Sequence, residues 1–131
     1  MSNRRRPSRG NTYRTGYLTS PQWFARRDRW FRDQLQLAGE WTCVGCDRTA
    51  DRREIELHHL SYDGVKKTAA GWYADESHED LWPLHPACHE LLHRIIDRDP
   101  LLARHRTREQ ASTTALQIVR RKHTTRGGEG S

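Results

Sequence analysis

A small α+β domain with a thin core is the fold class that this sequence predicts, on three observations. Only 34% of its 131 residues are hydrophobic and the mean hydropathy is −1.04, which leaves apolar surface for one modest core and no more. Long stretches with apolar residues at helical spacing flank a short one that alternates charged and apolar residues as a strand does. Two other stretches, Cys43-Val-Gly-Cys46 and His85-Pro-Ala-Cys88, have the spacing with which a chain grips a tetrahedral metal ion.

Residues 1–19 mix Arg, Ser, Asn, Gly and Thr without apolar periodicity and read as a flexible basic arm. Ser20 and Pro21 form an N-cap and first-turn pair, and Trp23, Phe24, Trp30, Phe31, Leu35 and Leu37 follow near helical spacing. This predicts a helix from about 21 to 38 that ends near Gly39. Trp41–Cys46 makes a turn around Gly45, Arg53–Leu57 alternates as a short strand, and the segment from Ser61 to Glu79 reads as loop. Pro86 opens a second helix with an apolar stripe at Leu91, Leu92, Ile95 and Ile96, stopped by Pro100. Asp99-Pro100 repeats the cap-plus-proline signal, predicting a third helix from Leu101 to about Arg121 that is apolar at Leu101, Leu102, Leu116, Ile118 and Val119. Residues 20–121 thus form one domain, and 122–131 are a flexible, Gly-rich tail.

Charge is unevenly spread over this plan. Residues 1–27 hold seven arginines and no acid, and residues 104–131 hold seven bases against Glu109 and Glu129. That leaves nine bases and fifteen acids for the centre, so a polyanion is attracted mainly by the two ends. Three cysteines cannot all pair. With no apolar secretory segment, they read as reduced thiols that bind metal in a cytoplasmic protein. No apolar run reaches the length of a membrane span.

The two knuckles, far apart in sequence, close a Cys₃His zinc site from Cys43, Cys46, His85 and Cys88, a staple in place of a large core. A redox role for Cys43 and Cys46 needs a helix start in a βαβ setting, which is missing here. Cys88 and His89 are neighbours on the second helix, so their side chains diverge by roughly 100°. His93 lies one turn beyond His89 on the same face. With the doublet His58-His59 at the end of the short strand, this pair makes a second metal site.

The order of these pieces resembles the HNH endonuclease family, the ββα-metal nucleases. The resemblance covers about residues 41–94 and rests on Cys43-x-x-Cys46, Leu57-His58-His59-Leu60, Glu79-Asp80-Leu81 and Leu84-His85-x-x-Cys88-His89-x-x-x-His93. It implies a ββα-metal domain with a zinc knuckle, flanked by N-terminal and C-terminal helices and basic disordered tails. It also implies that His59 is the general base, that His58 and His89 bind the catalytic metal, and that His93 is the additional ligand found in some members. Asp80 stands where the name-giving Asn usually lies, as in relatives with a similar His-His-x-x-Tyr start, and His85 replaces the commoner Cys, which zinc accepts.

Such a site implies hydrolysis of phosphodiesters, most readily double-stranded DNA, to 5′-phosphate and 3′-hydroxyl ends. Neutral His59 takes the proton of the attacking water while the metal binds the scissile phosphate. An all-imidazole ligand set suits Mn²⁺, Ni²⁺ or Co²⁺ as well as Mg²⁺. The competing reading is a zinc-dependent nucleic-acid-binding module without catalysis, using Arg4, Arg5 and Arg6 of the arm with Arg94 and Arg98 of the second helix. A third is a nuclease subunit that needs a partner, since in size and motif the chain resembles small phage HNH proteins that act with the DNA-packaging motor, which implies a terminase-type partner. Trp23, Phe24, Trp30, Phe31, Trp41 and Trp82 are expected to pack in the core, whereas Tyr13 and Tyr17 in the arm are available to nucleic acid.

Overall fold

A computed structural model describes residues 15–101 and 107–130, the last six by backbone alone. The first long helix, α1 (Pro21–Ala38), begins and ends where its caps dictate. Trp23 N donates to Ser20 Oγ at 3.2 Å, and Gly39, at φ +80°, donates to Leu35 O at 2.8 Å. α1 buries Trp23, Arg26, Trp30 and Phe31. Contrary to the core expected for it, Phe24 is 41% exposed, and the apolar Leu35 and Leu37 are 43% and 82% exposed. Phe24 lies round the helix from the buried stripe, and among the described residues α1 is exposed from Leu35 onward.

Residues 15–18 already form a helical turn, and Tyr17 is fully buried. The sequence reads this tyrosine as part of the arm. Its ring instead packs against Trp23 and Trp72, with centroids 5.7 and 5.5 Å away.

The strand expected at 53–57 starts later, as β1 (Glu56–His59). Asp51 and Glu54 form a capping box, in which Asp51 N donates to Glu54 Oε1 at 3.0 Å, and the main-chain bond from Glu54 N to the Asp51 carbonyl adds to it at 2.9 Å. That closes a one-turn 3₁₀ helix at Arg52–Glu54 and takes Arg53 out of the strand. The segment read as loop contains a hairpin, β2 (Val65–Thr68) and β3 (Gly71–Ala74), with Val65 opposite Ala74 and Thr68 opposite Gly71. Gly64 closes its base at φ +89°, where a Cβ would sit 2.4 Å from Asp75 O. A 3₁₀ turn at His78–Asp80 leads into β4 (Leu81–Leu84), which pairs antiparallel with β1 so that His58 faces Trp82 and His59 faces Leu81.

Pro86 opens α2 (Pro86–Arg98) as expected. At the predicted start of the third helix Asp99 Oδ1 accepts from Leu101 N at 2.9 Å and residues 100–101 are helical; residues 102–106 lie outside the described residues, and α3 (Arg108–Gly130) then continues through the expected tail. Its start is set by a second capping box: Gln110 N donates to Thr107 Oγ1 and Thr107 N to Gln110 Oε1, both at 3.1 Å. Leu101 is 62% exposed. The buried stripe of α3 is Ala111, Ser112, Ala115 and Val119, small residues that let it lie close along α2. The core gathers Tyr17, Trp30, Leu81, Leu84 and Leu92 around two of the cysteines, Cys43 and Cys88. Among the described residues no helix is long and apolar enough to cross a membrane.

Candidate active site and metal centres

The knuckle loop is anchored before any ion is considered. Thr42 bridges to Thr49, Val44 N donates to Pro83 O of β4 at 2.9 Å, and Arg120 of α3 reaches Val44 O at 2.6 Å and Asp47 Oδ2 at 2.9 Å. This brings the sulfurs of Cys43, Cys46 and Cys88 and a ring nitrogen of His85 within 4.8 Å of one another, close enough to hold one metal ion. The N–H groups of Gly45 and His85 both donate to Cys43 Sγ at 3.3 Å. Burial pushes the Cys43 thiol up, but these and the Cys46 N–H carry it below the ordinary thiol value. Cys88, by contrast, is pushed up to about 12 by burial and then by the neighbouring Cys43. A cation between the sulfurs is what lets all of them be thiolates at once. His123 of α3 comes within 3.5 Å of Cys88 Sγ, a contact that no spacing in the sequence signals.

Ring nitrogens of His58, His89 and His93 also lie within 4.8 Å of one another. His58 Nδ1 is 3.3 Å from His89 Nε2, which is 3.1 Å from His93 Nε2. The outward nitrogens of two of them are engaged: His89 Nδ1 donates to Glu56 Oε1 at 2.9 Å, and His58 Nε2 lies 2.8 Å from Ser112 Oγ. Holding the far nitrogen fixes the tautomer and turns the other lone pair inward, as metal-binding imidazoles require. His58 is 1% exposed. Burial, then Arg108 and the two other imidazoles, push its pKa down to about 2, so it stays neutral as a ligand must. The divergence of Cys88 from His89 assigns one to each cluster.

His59 points elsewhere, into a buried network. Its Nε2 lies 2.7 Å from Glu76 Oε2, and Tyr17 Oη donates to the same carboxylate at 2.8 and 3.0 Å. Arg26 donates from Nε and Nη2 to Glu76 O at 3.1 and 2.6 Å. Burial pushes the His59 imidazole below the ordinary histidine value against the pull of Glu76. Burial pushes Glu76 up, but hydrogen bonds from His59, its own backbone N–H and Tyr17 bring it below the usual carboxylate range. The pair is therefore a neutral imidazole donating Nε2–H to a carboxylate, which leaves the lone pair on Nδ1. Tyr62 stacks on one side of the ring with centroids 4.3 Å apart, and the Trp23 centroid lies 4.7 Å away.

No family model matches the chain, and no curated protein or solved structure matches it.

Asp80 acts here through its backbone. Its carbonyl accepts from Leu60 N at 2.7 Å, fixing the chain just after His59, while burial and then Glu109 push its carboxyl up. Arg94 is paired with Glu90 at 2.8 Å, Arg98 is exposed in the last turn of α2, and Arg4, Arg5, Arg6 and Tyr13 lie outside the described residues. Sequence reading missed Glu76, Glu56, Ser112 and Arg108. Arg108 donates from Nε to His59 O at 2.6 Å, with its guanidinium 5.3 Å from the Tyr62 ring centroid. The Thr107-x-x-Gln110 box could have placed the start of α3, and with it Arg108 and Ser112. Nothing in the sequence singles out Glu76.

Proposed function

We propose that this protein is a metal-dependent endonuclease of the HNH type, with a zinc ion held by Cys43, Cys46, His85 and Cys88. The observation that carries the reading is the meeting of three inward-facing imidazoles from β1 and α2 beside a separate, carboxylate-oriented histidine on the same strand. A divalent ion on His58, His89 and His93 supplies, when bound, the positive charge that stabilises a scissile phosphate and its departing oxygen. His59 accepts the proton of the attacking water at Nδ1, with Glu76 holding the ring and stabilising the imidazolium that forms. Breakage of the P–O3′ bond then leaves 5′-phosphate and 3′-hydroxyl ends. Imidazole ligands admit Mn²⁺, Ni²⁺ or Co²⁺ as well as Mg²⁺.

One observation favours a second reading, a nuclease competent only in a complex. His59 is 2% exposed, with Tyr62 stacked on its face. A partner that moved Tyr62 would open the ring edge to solvent, and the packaging-motor partner implied by the resemblance belongs to this reading.

The test is cleavage of supercoiled plasmid with Mg²⁺, Mn²⁺ or Ni²⁺ by the zinc-loaded chain. His59→Ala should lower the rate by about 10²–10⁴-fold while leaving DNA affinity in place. Equal rates for the variant and wild type would remove His59 from the mechanism. Wild-type protein that cuts neither duplex nor single strands would exclude a self-sufficient enzyme.

A further inference from the structure

Arg26, Arg29 and Arg32 follow one another at three-residue spacing on α1, and all three line a cleft of about 460 Å³ between that helix and β3. Trp72, Tyr73 and Gln22 complete its sides, and among the described residues no acidic one lines it. Three guanidiniums facing one hollow repel each other. The burial that pushes Arg26 below the ordinary guanidinium range is reinforced by Arg29. Arg26 is 3% exposed, and its Nη1 is buried with no hydrogen-bond partner among the described residues, a state that an anionic acceptor relieves.

Arg26 Nε lies 3.7 Å from the buried Glu76 Oε1 and its Nη2 lies 2.7 Å from His78 Nδ1, and on the helix Arg32 adjoins Asp33. Asp33 is shared with His78 Nε2 at 3.0 Å and Arg32 Nε at 3.4 Å, an exposed pairing of small worth. On the outer side Tyr73 is 53% exposed, and Lys66 and Lys67 of the paired strand are exposed as well. Cations that neutralise phosphates, together with an exposed aromatic face on which a base can stack, are what a nucleic-acid strand needs and an acidic peptide does not.

We propose that this cleft is the docking track for the phosphodiester backbone of a nucleic-acid strand, with Arg29 and Arg32 on its phosphates and Tyr73 beneath a base. The proposal takes its partner from the nuclease reading, and its position fits that reading. Arg26 lines the cleft and grips the backbone carbonyl of Glu76, whose side chain orients His59, so the track is two contacts away from the candidate base. This surface differs from the one formed by Arg94 and Arg98 on α2.

The experiment measures binding of a labelled single-stranded DNA oligonucleotide to zinc-loaded full-length protein, without further divalent ion, across a salt series. In parallel, plasmid cleavage is assayed with Mn²⁺. The double variant Arg29→Gln/Arg32→Gln keeps two exposed, uncrowded positions, so its fold is checked by melting temperature alone. Its salt slope should shrink by about 1.4, two phosphate contacts' worth. Tyr73→Ala should weaken binding of the oligonucleotide about 5-fold or more but leave binding of an abasic strand unchanged. Unchanged affinity and slope in the double variant would overturn the proposal whether or not wild type cuts plasmid. So would wild-type protein that binds no strand, or polyglutamate bound as tightly as DNA through the same arginines. If wild type binds as described yet cuts nothing, the track stands and the reading as a self-sufficient nuclease falls.

Discussion

Glu76 carries a charge at a position that is 2% exposed, and this sets a pH signature. Its folded pKa lies below the ordinary value, so its contribution to stability is complete above about pH 4.3 and is lost as pH falls through the folded value. Between about pH 5 and pH 3 the melting temperature of wild type should therefore fall more steeply than that of Glu76→Gln. Parallel curves would mean that the carboxylate is not ionised in the fold. The histidines and cysteines were legible in the sequence because metal chemistry imposes short, repeated spacings on them. Glu76 was not, because a carboxylate that meets its histidine from 17 residues away leaves no periodic trace.

The elements show the same division. α1 and α2 were readable because Ser20-Pro21 and Pro86 mark their starts in sequence, and Gly39 marks the end of α1. The β2–β3 hairpin was not, since four-residue strands with the burial pattern of β2, one buried position followed by three exposed ones, show no alternation. The Asp99-Pro100 start signal is used, since Asp99 Oδ1 accepts from Leu101 N at 2.9 Å and residues 100–101 are helical, but the Thr107-x-x-Gln110 box that opens α3 was not read. The position of α3 carries a prediction about the histidine cluster. Ser112→Ala removes the oxygen 2.8 Å from His58 Nε2 and should weaken binding of Mn²⁺ or Co²⁺ by about 10–100-fold, read by calorimetric titration of zinc-loaded protein. The knuckles carry another. Cys46→Ser, or a chelator strong enough to strip the ion, should sharply lower the melting temperature, because two buried cysteines of the core, Cys43 and Cys88, would be left as unsupported thiols. Elemental analysis that finds no zinc in the folded chain would remove the staple altogether.

Over the whole molecule, the arginine-rich residues 1–14 precede every candidate site residue in the chain, so binding by the arm and the proposed cutting should separate experimentally. Deletion of residues 1–14 removes Arg4, Arg5, Arg6, Arg9 and Arg14, and affinity for any duplex should fall with a shallower salt slope. An unchanged slope would show that the arm makes no phosphate contacts. Deletion to residue 19 is a different experiment, because it also takes the Tyr17 hydroxyl from Glu76 and should lower the melting temperature. α3 meets both candidate metal centres, through Ser112 at His58 and through His123 at Cys88, and it contributes Arg108 to the carbonyl of His59. Because α3 follows every other described element in the chain, a ribosome that has released the polypeptide only as far as Arg98 has exposed all the proposed metal ligands but none of these supports. Under the proposed nuclease reading, the cutting site would therefore mature last, after the earlier elements are already free to fold.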